Sequence, residues 1–291
     1  MPERDRHMPG LVPERDGYIP GVPCAVDTGQ PDPEAALDFY GGLFGWEFED
    51  VMPPESETRY FVARLRGRDV AAVGSIPGGA PQTATWRTYI WVDSADESTA
   101  KIRDAGGGVV LEPFDVEPEA GRMAVFTDPE GAEFRVWQAK QNKGAQLVNE
   151  PGSLNLNGLN TRDAAGAKSF YGSVFGWQVL DLDGAVELWT LPGFGDFLER
   201  DNPELRNQMA EAGAPQGFED VVASINPRTS ASMHLAGAGA FLPLSGDKAP
   251  IAKWPAPPSE TPLAPPPTLS PRCPPTSACS RSSSTCATRR T

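Results

Sequence analysis

Seven side chains stand out by type and spacing: Asp27, Arg87, Tyr89, Trp91, Glu133, Arg135 and Trp137. They occupy alternate positions in three short segments, AVD ending at 27, RTYIW from 87 and EFRVW from 133. In extended chain, alternate side chains share one face. The positions between them hold Val26, Ile90, Val92, Phe134 and Val136, and with Val70 and Ala72 of a fourth segment they form an apolar set that suits a packed interior. Joined by Ala25 and Ala71, the seven give a polar and aromatic wall. Three chemistries are open to such a wall. Tyr89, Trp91 and Trp137 can stack on a planar ligand whose anionic group is held by Arg87 and Arg135. Asp27 and Glu133 can act as an acid–base pair, which needs a carboxyl kept protonated and is opposed by the nearby arginines. Arg87 and Arg135 can instead pair internally with Asp27 and Glu133, the ordinary fate of buried charge.

Other chemistry is poorly provided for. The two histidines, His7 and His234, fall outside the expected domains, and Cys24 is the one cysteine before residue 228. Without a histidine between, Cys24 lacks its usual base and no serine triad can be built. GGG at 106–108 reads as a helix stop and not as a phosphate loop. The net charge of −14 and a pI near 4.6 repel phosphate backbones, so a nucleic-acid partner is not expected. No apolar run approaches the roughly 20 residues of a membrane helix. The N-terminal arm, 1–17, has no apolar signal core, and a cytoplasmic protein is expected.

The elements that must position the wall are announced by a repeat. LDFYGGLFGWEFED at 37–50 and KSFYGSVFGWQVLD at 168–181 share Phe, Tyr, Gly, Phe, Gly and Trp at one offset, as in Phe39 and Phe170. Asp32 and Asp163 keep the same offset. Each copy reads as a helix: an Asp cap, apolar residues three and four apart, and a glycine stop before a strand that starts at Trp46 or Trp177. The aromatic pairs read as core. Around the first copy the order is strand (22–28), helix (33–44) and three strands (46–51, 58–65, 69–76). A second strand, helix and three strands follow between 87 and 138. The third unit repeats the helix at 164–175 and carries an insertion, 192–217, that reads as a lid over the second cup or as a plain surface helix.

This pattern, together with the DPEG turn at 128–131 and the AEFRVWQ strand after it, resembles the glyoxalase/bleomycin-resistance/dioxygenase (vicinal oxygen chelate) superfamily. The joint KGAQLVNEPGSLN resembles that of its tandem two-domain actinobacterial members. The resemblance implies an α+β fold of βαβββ units forming open cup-shaped sheets. It gives a complete domain at 18–142, a linker at 143–152 and half of a second domain at 153–227. It also implies metal-ligand positions near Ala25, Ala71, Arg87 and Arg135, with Leu156 first in the second domain. None of these is a ligand. The resulting expectation is a small-molecule binding protein, akin to the drug-sequestering bleomycin-resistance members, that needs no metal or other cofactor. The alternative is a glyoxalase-like lyase or dioxygenase-type enzyme of the same superfamily.

The segment 228–291 differs in character. Before it the chain has 18 basic and 37 acidic residues, a balance of −19; after Pro227 it has 7 and 2, a balance of +5. Prolines cluster there, and Cys273, Cys279 and Cys286 fit no zinc spacing. It reads as a disordered tail, or as the product of a shifted reading frame after Pro227. Because the second domain then lacks its last βαβββ unit, the third unit is expected to expose apolar surface and to self-associate.

Overall fold

The computed structural model describes residues 15–80, 82–182, 187–227 and 232–236, all within one compact unit. The first βαβββ unit comprises β1 (Pro23–Gln30), α1 (Pro33–Phe44), β2 (Glu47–Asp50), β3 (Tyr60–Leu65) and β4 (Arg68–Ser75). The second has β5 (Thr85–Trp91), α2 (Ala95–Asp104), β6 (Gly108–Val116), the one-turn α3 (Glu117–Ala120), β7 (Gly121–Thr127) and β8 (Glu133–Ala139). The third has β9 (Leu156–Thr161), α4 (Ala164–Phe175), β10 (Gln178–Asp181) and β11 (Glu187–Thr190). It continues through the insertion helices α5 (Phe194–Glu199) and α6 (Leu205–Glu211) to β12 (Val221–Pro227). A further strand, β13 (Ser232–Ala236), follows.

The caps form as the repeat requires. Asp32 Oδ1 accepts from the Ala35 N–H and Asp163 Oδ1 from the Gly166 N–H. Gly45 (φ 71°) and Gly176 (φ 76°) close the two helices in the left-handed region. The first two units share one eight-stranded sheet, order β2-β3-β4-β1-β5-β8-β7-β6, joined where β1 runs antiparallel to β5. The third forms a five-stranded sheet, β10-β11-β12-β9-β13. Residues 232–236, which the sequence reading assigns to the tail, are thus a paired strand whose His234 stands opposite Gly158. His234 therefore belongs to the second sheet and not to a segment outside it. His7, residues 237–291 and the three cysteines at 273, 279 and 286 lie outside the described residues.

The third unit is not left bare. Its helix packs on the back of the second unit, where Phe134 meets Phe170, Tyr171 and Phe175 at ring-centroid distances of 6.1, 5.9 and 5.9 Å. Tyr171 donates its hydroxyl hydrogen to Asp128 at 3.3 Å. Glu130, in the same turn, accepts from the Thr161 hydroxyl and from the Arg162 and Asp163 N–H groups at the start of α4. These donors, the Thr161 hydroxyl first, hold the Glu130 carboxyl down from 4.5 to about 2. The two repeats also clasp each other. Trp46 Nε1–H donates to the Gly152 carbonyl at 2.7 Å and Trp177 Nε1–H to that of Gly21 at 2.8 Å, a matched pair at the repeat offset. The apolar face of α4, which was expected to lie exposed, is therefore covered by the second unit.

Two smaller expectations change as well. Arg15, inside the segment read as a loose arm, is buried at 6% exposure, and its N–H donates to the Gln146 carbonyl. The insertion forms two short helices whose aromatic face is taken by that arginine, 6.0 Å from the Phe194 ring and 5.6 Å from the Phe197 ring.

Candidate functional site

The site is built on β1, where Asp27 stands beside Ala72 of β4 and Arg87 of β5. Its carboxylate is only 2% exposed. Tyr89 donates its hydroxyl hydrogen to Oδ2 at 2.7 Å, and Tyr60 does so at 3.3 Å. Arg135 Nη1 reaches both carboxylate oxygens, at 3.2 and 3.1 Å, and the Tyr89 hydroxyl oxygen at 2.8 Å. Arg87 approaches more loosely, 3.6 Å from Oδ1. The sheet register brings Arg135 here by setting it beside Tyr89, and its guanidinium lies 5.2 Å from that ring. Glu133 stands at the rim, 43% exposed and 3.4 Å from Arg135.

Burial raises both phenols, Tyr60 and Tyr89, far above their ordinary range, and the adjacent Asp27 adds to this. They remain O–H donors at any working pH. Burial works against the Arg135 charge, but Asp27 and Tyr89 outweigh it and raise that group. Two guanidiniums therefore face one buried carboxylate. Arg135 Nε, moreover, is buried without a hydrogen-bond partner. Gly29 leaves the room that Arg87 occupies: a methyl group there would stand 2.3 Å from Arg87 Nη2, so Arg87 lies across the β1 backbone.

Asp27, Arg87, Tyr89 and Arg135 are thus brought together, with Glu133 beside them. Trp91 and Trp137 are placed differently from the expected ligand wall. Trp91 packs on Tyr18, 5.9 Å between ring centroids. Trp137 is 6% exposed, donates its N–H to the Asn142 carbonyl and sits against Gly121. Tyr18 of the arm packs on Trp91, which stays half-buried, and the segment after β8 covers Trp137. Tyr60 was missed because its strand pairs β4 across a bulge: Ala63 opposes Ala71 and Arg64 opposes Asp69, which skips Val70. Past the bulge the parity of β4 shifts. Ala72 then shares the Asp27 face, and Ala71 lines a cavity beneath α1, the reverse of the alternation read from sequence. The tyrosine in TRYFVARL was the available signal, but only the register places it.

The donor set does not fit a divalent cation. Its one central carboxylate is already shared by an arginine and two phenols, and the positions flanking it are an alanine and a second arginine. Among the described residues no group of three or more His, Cys, Asp or Glu side chains converges. Cys24 is buried, and burial pushes its thiol up, which leaves it inert. No described helix is long and apolar enough to cross a membrane.

Residues 24–137 match the family described as glyoxalase-like domain. A Mycobacterium bovis protein named "Putative glyoxylase CFP32" is 42% identical over 157 residues, which is 53% of this chain and 60% of that protein. "Anthracycline biosynthesis protein DauV" of Streptomyces sp. strain C5 is 37% identical over 175 residues, 55% of this chain and 62% of that one. Residues 24–137 are thus a glyoxalase-like domain, and the likeness to the glyoxalase/bleomycin-resistance/dioxygenase superfamily rests on that part of the chain. It spans about three fifths of the length of these curated relatives. Among solved structures, the Mn(II)-bound glyoxalase from Novosphingobium aromaticivorans is 18% identical, with a TM-score of 0.44 over 58% of this chain and 57% of that one.

Proposed function

We propose that the chain is a small-molecule binding protein whose first domain takes an anionic, planar ligand on its concave face without a metal. The observation that carries this reading is the looseness of Arg87: Arg135 takes both oxygens of Asp27 and also meets Glu133, while Arg87 stands 3.6 Å from the same carboxylate. Arg87 is the loose member, 23% exposed, and is the group free to turn to a ligand. The anthracycline name of one relative makes planar aromatic acids the first class to test. Calorimetric titration of the full chain with such a panel, an anthracycline included, in the presence of chelator is expected to give saturable binding. Arg87→Ala is expected to weaken it about 10- to 100-fold, the worth of one charge-assisted hydrogen bond. Equal binding by the variant, or binding abolished by chelator, sinks the proposal.

The name of the mycobacterial relative favours a second reading, glyoxalase-type turnover. Stoichiometric metal in protein purified without a metal-binding tag, and glyoxalase activity lost on chelation, would establish it instead.

A further inference from the structure

The two repeats differ in what lies beneath their helices. Under α1 the side chains of Tyr40, Phe44, Trp46, Val70, Ala71 and Trp86 border an apolar cavity of about 190 Å3. Among the described residues no charged side chain lines it. Its polar groups are already engaged. The Ser153 hydroxyl accepts from the Glu150 N–H and donates to the Glu150 carbonyl, and the Trp46 N–H is held by Gly152.

Under α4 the corresponding rings, Tyr171 and Trp177, close on Trp189 at centroid distances of 5.1 and 5.2 Å. Trp189 is fully buried. The strand registers identify its counterpart in the first repeat. Val179 stands opposite Trp189 on β11, and Phe48, one repeat offset earlier, stands opposite Ala63 on β3. Ala63 is buried in one apolar cluster with Tyr40, Phe44, Trp46 and Trp86. An indole in one repeat is thus a methyl group in the other. The cavity borders the same two rings, Tyr40 and Trp46, that the missing indole would meet.

We propose that this cavity is a binding site for a neutral aromatic molecule of one or two fused rings, seated as the Trp189 ring is seated in the second repeat. Trp189 sets the polarity as well as the shape. Its N–H is buried and has no hydrogen-bond partner among the described residues, so packing alone holds that ring. Apolar cavities of about 150 Å3 stay free of water and take up benzene, and this one is larger. Aromatic walls add stacking and edge contacts to the burial. Nothing in the lining can compensate a charge, which excludes an anion. Tyr40, Phe44 and Trp86 are each partly exposed, and the way in from solvent passes their edges. The site is separate from the one around Asp27. Val26 and Trp86 turn to the cavity, while the residues that follow them, Asp27 and Arg87, meet on the opposite face of the same strands.

Indole is the probe, titrated calorimetrically into the full chain, and saturable uptake of one indole per chain is expected. Ala63→Trp rebuilds in the first repeat the packing of the second, and is expected to weaken uptake by about tenfold or more, since a filled cavity holds no ring. Ala71→Leu, a smaller change placed directly in the cavity wall, is measured beside it in case the larger side chain disturbs β3, and is expected to weaken uptake likewise. Trp189→Ala opens the same space under α4. Its lowered melting temperature is expected to be raised by indole more than that of the wild type. No saturable uptake by the wild type up to the solubility of indole overturns the proposal. So does uptake that is unchanged in folded Ala71→Leu, or that is lost in Arg87→Ala and so belongs to the arginine cluster.

Discussion

Replacing Arg135 by methionine removes the tightest charge partner of a carboxylate that water does not reach. Asp27 is 2% exposed, and of its four neighbours only Arg135 bonds both oxygens. Breaking a buried pair by deleting one member costs about 3–5 kcal/mol, because the other charge is left behind. Here the two phenols stay and Arg87 remains 3.6 Å away, so the lower end, about 3 kcal/mol, is expected. With a urea dependence of about 2–3 kcal/mol per molar for a protein of this size, the midpoint falls by about 1–1.5 M. Adding Asp27→Asn removes the stranded charge, and the double variant is expected to recover at least about 1 kcal/mol relative to Arg135→Met alone. The assay is urea unfolding of the wild type, both single variants and the double, followed by tryptophan fluorescence. Additive losses, or a loss below about 1 kcal/mol for Arg135→Met, would refute the view that Asp27 depends on this arginine.

Other perturbations test other links. Gly29→Ala places a methyl group against Arg87 Nη2, the movable end of a side chain, so Arg87 should leave Asp27; ligand affinity is expected to drop with little change in melting temperature. Glu130 is depressed to about 2, so its contribution is complete above its ordinary 4.5 and is lost as pH falls through about 2. Glu130→Gln should therefore remove part of the acid sensitivity in that window, read as protease susceptibility near residue 162, and a variant with an unchanged acid profile would contradict this. Trp46→Phe and Trp177→Phe each leave one glycine carbonyl without its donor. Each is expected to cost about 1 kcal/mol, or about 2–4 °C in melting temperature; a change in neither would show that the reciprocal clasp contributes nothing.

Much of the architecture is written in local sequence. Asp32 with Pro33, Asp163, and the glycines at 45 and 176 fix where both repeat helices begin and end, because caps are satisfied within a few residues. The alternation in RTYIW and EFRVW likewise delivers Arg87, Tyr89 and Arg135 to one face. The same repeat did not reveal which unit covers which helix. Phe39 and Phe170 are the same residue in the same motif, yet one is open to solvent and the other is sealed by Phe134 and Gly107, since burial is decided by what a distant segment places opposite. Tyr60 and Ala72 reached the Asp27 face through a bulge at Val70, and a one-residue slip of that kind inverts every side chain beyond it without leaving a mark in composition. Trp91 and Trp137 were withdrawn from the wall by the arm and by the turn after β8, which alternation within a strand cannot register. Local sequence set element type, ends and facing. The long-range register of β3 on β4 and the crosswise packing of the two repeats settled which of those faces meets solvent, because both depend on contacts between residues far apart in the chain.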